Sequence, residues 1–252
     1  MTDAVGLGTV RAIYAVLNGA LEQAVRWNMI SRNPAAAVNP PKLRQEEMIV
    51  LDADQARRFL NVARGDRWEC LYVLALSCGI RRGELVGLKW SDIDLGTRTL
   101  RINRQLQRMR DGGGLYFSQP KNASRRTITL PEMAVNTLRN HRKRQAEQKL
   151  SAGPDWQENG LVFTTIKGTP VDAQNVTKRS YKDILKRSGL PHMPFHGLRH
   201  STATILLAKG IHPTYVQKLL GHSSIRLTLD LYSHWMPSMG SHTANGVDEA
   251  LS

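Results

Sequence analysis

The densest group of chemically able side chains in the sequence is Pro194-Phe-His196-Gly-Leu-Arg199-His200. The apolar run Ile205-Leu206-Leu207-Ala208 and the following Gly210 predict a helix here. On it His196, Arg199 and His200 share one face, because residues three and four apart are neighbours. Three readings of that face stand open. Two histidines at i and i+4 are half of a zinc site, but no Glu lies between them, no Cys or carboxylate is near, and the guanidinium would set a cation beside a dication. An anion clamp fits better, because arginine's planar fork binds phosphate bidentately and histidine adds a donor. The third reading is an exposed polar helix face. A second group follows: Ile211-His-Pro213 restarts a helix, Gly221 caps its C-terminus, and His222 falls in the tight turn. Ser223 or Ser224 can cap a next helix, Ile225 to about Trp235, which carries Tyr232. On a straight helix ten residues span about 15 Å, so His222 and Tyr232 could serve one phosphate only from different sides.

These side chains need elements to hold them. Val10, Ile13, Leu17, Leu21, Ala24 and Val25 recur at mostly helical steps, ended by Asn33-Pro34 and Pro40-Pro41 and a charged linker from Lys42 to Glu47. A second unit begins near Met48. Asp52 or Asp54 caps a helix through Ala56, Leu60 and Val62; another covers Trp68 to Ser77 and breaks at Gly79; a third runs from about Arg82 to Trp90. The period then changes. Arg98-Thr-Leu-Arg-Ile-Asn, Leu115-Tyr-Phe and Thr127-Ile-Thr-Leu read as three short antiparallel strands. Between Arg98 and Arg126 stand eight basic residues, Arg104, Arg125 and Arg126 among them, against one acid, Asp111. Such a basic sheet is a nucleic-acid surface or simply a solvated face. Helices return over Glu132 to about Gln148, Ala173 to Ser188 and Phe195 to Lys209. The fold class is therefore mainly α with a small three-stranded antiparallel sheet, α+β.

Composition bounds the partner. The 252 residues hold 35 Lys+Arg and 21 Asp+Glu, a net charge of +14, with 41% hydrophobic and 22% charged residues. That is a globular chain with enough apolar content for a core, and its excess of positive charge favours a polyanion, most commonly nucleic acid. The longest uncharged apolar stretch, Leu71 to Ile80, is half of what a membrane span needs, so no membrane partner is expected. Two cysteines, Cys70 and Cys78, are too few for a disulfide framework and point to a reducing compartment.

Taken together, Cys78-Gly-Ile-Arg81-Arg82-Gly-Glu84-Leu, His196-Gly-Leu-Arg199-His, Leu219-Leu-Gly-His222 and Leu229-Asp-Leu-Tyr232 resemble the motifs of the tyrosine recombinase (phage integrase) family, in its order and spacing. Lys121, in Gln-Pro-Lys-Asn-Ala-Ser-Arg-Arg, resembles that family's hairpin lysine. The resemblance implies that Arg81 and Arg199 clamp a scissile phosphate, that His196 and His222 complete its donors, that Lys121 is the general acid and that Tyr232 is the nucleophile. Glu84 would orient the first arginine. Arg104, Arg125 and Arg126 would contact the DNA backbone, and His200 would be structural. The chemistry is coherent: fixed cationic donors stabilise a phosphodiester transition state, and no metal or other cofactor is called for. Tyrosine, with a reference pKa near 10, leaves more readily than an alkoxide, so the departing 5′ oxygen needs a delivered proton.

The implied function is site-specific recombination, integrating or excising a mobile element on double-stranded DNA as a homodimer or tetramer, with accessory DNA-bending or directionality factors. The implied setting is the cytoplasm, bacterial or phage-encoded and nucleoid-associated. Cys78 stands where the family commonly has Thr or Ser. Residues 1–45 resemble only the end of a core-binding domain, residues 46–235 a catalytic domain, and residues 236–252 a tail able to dock on a neighbouring protomer. The chain thus reads as a fragment or a shortened gene. Two alternatives remain: a type IB topoisomerase relaxing DNA, and a truncated DNA-binding remnant with impaired activity.

Overall fold

The computed structural model describes residues 6–41, 48–109, 113–120, 125–222 and 224–225. The chain divides into two compact units, residues 1–48 and 49–252. In the first, helix α1 (Leu7–Arg26) buries none of its residues. A 3-10 turn at Pro34–Ala37 is fixed by Asn33, whose side chain caps Ala35 N–H. Tyr14 Oη donates to Ala35 O at 3.2 Å, and Asn33 Nδ2 donates to Asn18 and Glu22, which ties that turn back onto α1.

The second unit is built around α3 (Glu69–Cys78), whose residues are almost all buried. The apolar stretch noted in the sequence is thus a core helix; no described helix is long and apolar enough to cross a membrane. Helix α2 (Ala53–Ala63) starts at Asp52, which caps Gln55 N–H while the Gln55 side chain accepts from Asp52 N–H. Helix α4 is only Arg82–Val86, shorter than the periodicity predicts. Beyond it Leu88 O accepts from Val162 N–H and Trp90 N–H donates to Gly160 O, so the backbone pairs sideways instead of continuing the helix.

Among the described residues, five strands follow in two small sheets. β1 (Ile93–Asp94), β2 (Thr99–Ile102) and β5 (Arg126–Thr129) form an antiparallel sheet in the order β1-β2-β5, and β3 (Gln105–Arg108) pairs with β4 (Leu115–Ser118) in a separate ribbon. The mainly helical architecture with small antiparallel sheets agrees with the sequence reading. The 115–117 strand, however, belongs to the ribbon and not to the sheet of β2 and β5. In the three-stranded sheet Leu100, Ile102 and Ile128 face the core, and Ile102 lies opposite Arg126.

Helix α5 (Glu132–Ala152) packs on α3, and the buried His141 Nε2 is 2.7 Å from Val162 O. The helix expected over 173–188 is one continuous rod: α6 (Ala173–Val176), a π-helical turn at Thr177–Tyr181, and α7 (Lys182–Arg187). The widened turn seats Tyr181 among Phe59, Tyr72 and Phe195, with ring centroids 5.2 to 6.4 Å apart. Phe195 immediately precedes α8 (His196–Ala208), so this aromatic cluster anchors the end of the helix that carries the first group of candidate residues. Along α8, Ser201 Oγ accepts from Leu51 N–H, and Thr202 Oγ1 donates to Leu76 O of α3. Helix α9 (Pro213–Leu220) completes the described part of the unit.

Candidate active site

Helix α9 ends in a Schellman turn. Gly221 takes φ +63°, its N–H bonds Lys218 O, and His222 N–H bonds Gln217 O. Gln217 Nε2 also donates to His222 O. The carbonyls of Leu219, Leu220 and Gly221 lie beyond the helix's own ladder, at its negative end. Three arginines from three other elements supply their donors. Arg126 Nε reaches Leu219 O at 2.7 Å, Arg199 Nη2 reaches Leu220 O at 2.5 Å, and Arg81 Nη2 reaches Gly221 O at 2.9 Å. The next residue is His222. The turn is thus a knot at which β5, α8 and the start of α4 meet.

Each arginine is held a second time. Arg199 is 2% exposed, and its Nη1 donates to Gly79 O at 2.6 Å, at the left-handed C-terminus of α3. Arg81 Nη1 pairs with Glu84 Oε1 at 2.8 Å, while its backbone N–H donates to Glu84 Oε2 at 3.1 Å. Glu84 is buried, and its oxygens also accept from both Arg126 Nη atoms. Burial works to raise the Glu84 pKa, but the hydrogen bonds and charge of Arg126, then those of Arg81, hold it below the ordinary carboxylate value. Glu84 therefore stays an anion between two cations.

The histidines gather round the same charges. His196 and His200 stand edge to face with ring centroids 4.7 Å apart. Burial and then the charges of Arg199 and Arg81 lower the pKa of His196. His222 is pushed down to about 3, by burial first and then by Arg199 and Arg81. His200 is pushed down to about 4, by burial and then by His196 and Arg199. All three shifts run the same way, favouring the neutral imidazole over the cation beside the arginines. Among the described residues, no group of three or more His, Cys, Asp or Glu side chains is placed to hold a metal ion. Beside His196 opens a cavity of about 540 Å³ lined by Arg82, Gly83, Gln105, Arg108 and Asp172 among others.

The structure therefore brings together Arg81, Glu84, His196, Arg199 and His222. Lys121 and Tyr232 lie outside the described residues. The three arginines read from the sequence as DNA-backbone contacts sit in different settings. Arg125 is exposed and donates to Gln119 Oε1 at 2.5 Å. Arg104 forms an ion pair with the buried Asp92, which also accepts from Asn103 Nδ2. Arg126 is turned inward, its side chain 6% exposed. The alternation of β5 explains this: Arg126 shares a face with Ile128 and Leu130, both buried. That pattern was present in the sequence, where the arginine's charge outweighed its place in the alternation.

A mainly helical unit with two small antiparallel sheets, in which arginines from separate elements converge on one histidine-bearing turn, defines the class of fold and site. The sequence pattern of the phage integrase family matches residues 50–238. The chain belongs to that family, the tyrosine recombinases. It is 32% identical to the tyrosine recombinase XerC-like protein of Caldanaerobacter subterraneus subsp. tengcongensis, over 96% of this chain and 66% of that protein. The chain thus spans just under two thirds of that relative's length. Among solved structures, the Tn1549 transposon integrase in complex with a circular intermediate DNA superposes with a TM-score of 0.79 at 22% identity, over 98% of this chain and 80% of that one. A lambda integrase tetramer bound to a Holliday junction gives 0.59 at 23% identity, over 90% and 59%. These likenesses establish the fold.

Proposed function

We propose that this chain is the catalytic part of a site-specific DNA recombinase or integrase, which cleaves and rejoins duplex DNA through a 3′-phosphotyrosine on Tyr232. The observation that supports it best is the convergence of Arg81 and Arg199 on the Leu220–Gly221 turn that presents His222. Carbonyls of the turn fix both guanidiniums in place, so their positive charge is already oriented before an anion arrives. A phosphodiester placed there meets cations that need no reorganisation as negative charge grows at phosphorus. His196 and His222 would complete the donors to the non-bridging oxygens. Glu84 orients Arg81 through both its side chain and its backbone.

In this reading the Tyr232 hydroxyl gives up its proton to solvent as its oxygen attacks phosphorus, and the bond from phosphorus to the 5′ oxygen breaks. Lys121 gives its proton to that departing oxygen, and the covalent ester conserves the bond for rejoining, so no external energy source is required. Residues 1–45 would be the end of a core-binding domain, and residues 236–252 would dock on a neighbouring copy. The working assembly would be a dimer or tetramer on DNA, engaged in integrating or excising a mobile element, with accessory factors supplying direction.

A nicked suicide duplex tests the reading. The wild-type chain should form a covalent protein–DNA adduct that resists denaturation, and Tyr232→Phe should form none. Failure of the wild type, or an adduct with the variant, overturns it. Affinity for DNA should also fall steeply with salt, as phosphate contacts require.

A further inference from the structure

Arg126 has no place in the phosphate chemistry just described, yet it touches more of that machinery than any surface contact would. Its Nη2 lies 2.9 Å from Glu84 Oε2, its Nη1 3.2 Å from Glu84 Oε1, and its Nε 2.7 Å from Leu219 O. The side chain also lies flat against Gly221: a Cβ there would stand 3.1 Å from Arg126 Cδ and 3.2 Å from its Nη1. Those contacts fill the guanidinium's fork with internal acceptors, and only 6% of the side chain is exposed.

We infer that Arg126 is a positioning residue for the phosphate site, locking the Arg81–Glu84 pair to the turn that carries His222, and is not a contact to the DNA backbone. The inference rests on the reading of Arg81 and His222 as phosphate donors. Two physical effects carry it. The first is charge. A lone Glu84 carboxylate beside Arg81 would cancel the field that Arg81 presents to an incoming anion. With Arg126 on the same carboxylate, the triad keeps a net positive charge, and the face of Arg81 turned from Glu84 stays attractive to phosphate. The second is geometry. Arg126 holds Leu219 O while Arg81 holds Gly221 O, and Glu84 joins the two guanidiniums. The distance between the first arginine and the His222 turn is therefore set through a closed ring of bonds, and a lysine, with one charged tip, could not close it.

The test compares Arg126→Gln and Arg126→Lys with the wild-type chain in three measurements. At saturating suicide duplex, the single-turnover cleavage rate should fall about 10- to 100-fold in Arg126→Gln and recover in part in Arg126→Lys. DNA affinity should stay within about twofold, with an unchanged slope of log affinity against log salt, because no phosphate contact is lost. In the DNA-free protein, the His222 ring resonance in the NMR spectrum should shift in Arg126→Gln. A backbone-contact role predicts the opposite: weaker binding, a salt slope smaller by about one, and an unmoved His222 signal. That outcome, or wild-type cleavage by Arg126→Gln, overturns the inference. If the wild type itself forms no adduct, the cleavage reading fails, while the salt slope and the His222 resonance still decide the role of Arg126.

Discussion

Arg81 and Arg199 donate to adjacent carbonyls of one turn, Gly221 O at 2.9 Å and Leu220 O at 2.5 Å, although they start from different helices. Their surroundings differ sharply. Arg199 is almost fully buried, whereas the Arg81 side chain is 29% exposed. Alanine at 199 would strand two buried carbonyls, Gly79 O and Leu220 O, each costing about 1–3 kcal/mol when left unpaired. Arg199→Ala should therefore lower the melting temperature markedly and abolish cleavage together, and Arg199→Lys should rescue neither fully. Arg81→Ala should cost roughly 1 kcal/mol or less beyond its effect on Glu84, yet reduce cleavage by at least 10²-fold. Thermal melts beside suicide-substrate assays on the two alanine variants check this. Equal losses of stability would contradict the division of labour drawn here.

Glu84 is the anion on which two guanidiniums depend. Glu84→Gln keeps the shape but removes the charge, so Arg81 and Arg126 are left as neighbouring buried or half-buried cations. Breaking a buried ionic group from one side costs about 3–5 kcal/mol, less here because Gln retains hydrogen bonds. Denaturant unfolding should show a loss of about 2–3 kcal/mol with an unchanged m-value. A neutral outcome would mean that the carboxylate is not the centre of the ring.

The histidines give the chain a pH-dependent stability of definite sign. His222 and His200 are pushed down to about 3 and about 4 in the folded protein, against 6.5 for the ordinary side chain. Between those values the unfolded chain binds more protons, so stability is full above pH 6.5 and declines as pH falls below it. Glu84, depressed below 4.5, contributes in the lower window: its stabilisation is present above that value and is lost as pH falls through its folded pKa. Melting curves from pH 7.5 down to 5 therefore isolate the histidines. The ceiling is about 1.4 kcal/mol per pH unit for each group, and partial exposure cuts it to well under half. The double variant His200→Gln, His222→Gln should flatten the profile in that range; parallel profiles would refute the assignment.

Most of this machinery was legible in the sequence, for reasons that differ from residue to residue. Gly221 announced a helix end, and the structure has it in the left-handed region with His222 next in line. His196 and Arg199 were readable from helical spacing, because the spacing fixes their shared element. The destination of each arginine was not readable. Nothing local tells that Arg199 reaches Gly79 O or that Arg126 meets Glu84, since those bonds join residues 120 and 42 positions apart. Only the strand alternation, Arg126 in phase with Ile128 and Leu130, carried a hint. The basic count over residues 98–126 likewise did not tell which arginines pair within the protein, as Arg104 does with Asp92 and Arg126 with Glu84. Strand β3, the partner of the expected strand at Leu115, escaped because Gln105-Leu-Gln-Arg108 lacks the β-branched residues by which a strand is recognised.

The last prediction links packing to chemistry through Gly79. This residue ends α3 at φ +60°, and a Cβ there would stand 2.4 Å from Leu220 Cδ2. Leu220 is itself fully buried and cannot swing aside into solvent. Gly79→Ala therefore combines a left-handed backbone penalty of about 1–2 kcal/mol with overpacking of about 1–3 kcal/mol. The collision also pushes on both carbonyls that hold Arg199, Gly79 O and Leu220 O. The variant should lose about 2–5 kcal/mol of stability, and its cleavage rate should fall even at temperatures where it remains folded. Adding Leu220→Ala opens the space, so the double variant should lose clearly less than the sum of the two single losses. Strict additivity in denaturant melts would show that Gly79 and Leu220 do not press on one another, and that Arg199 is held in place by something other than this contact.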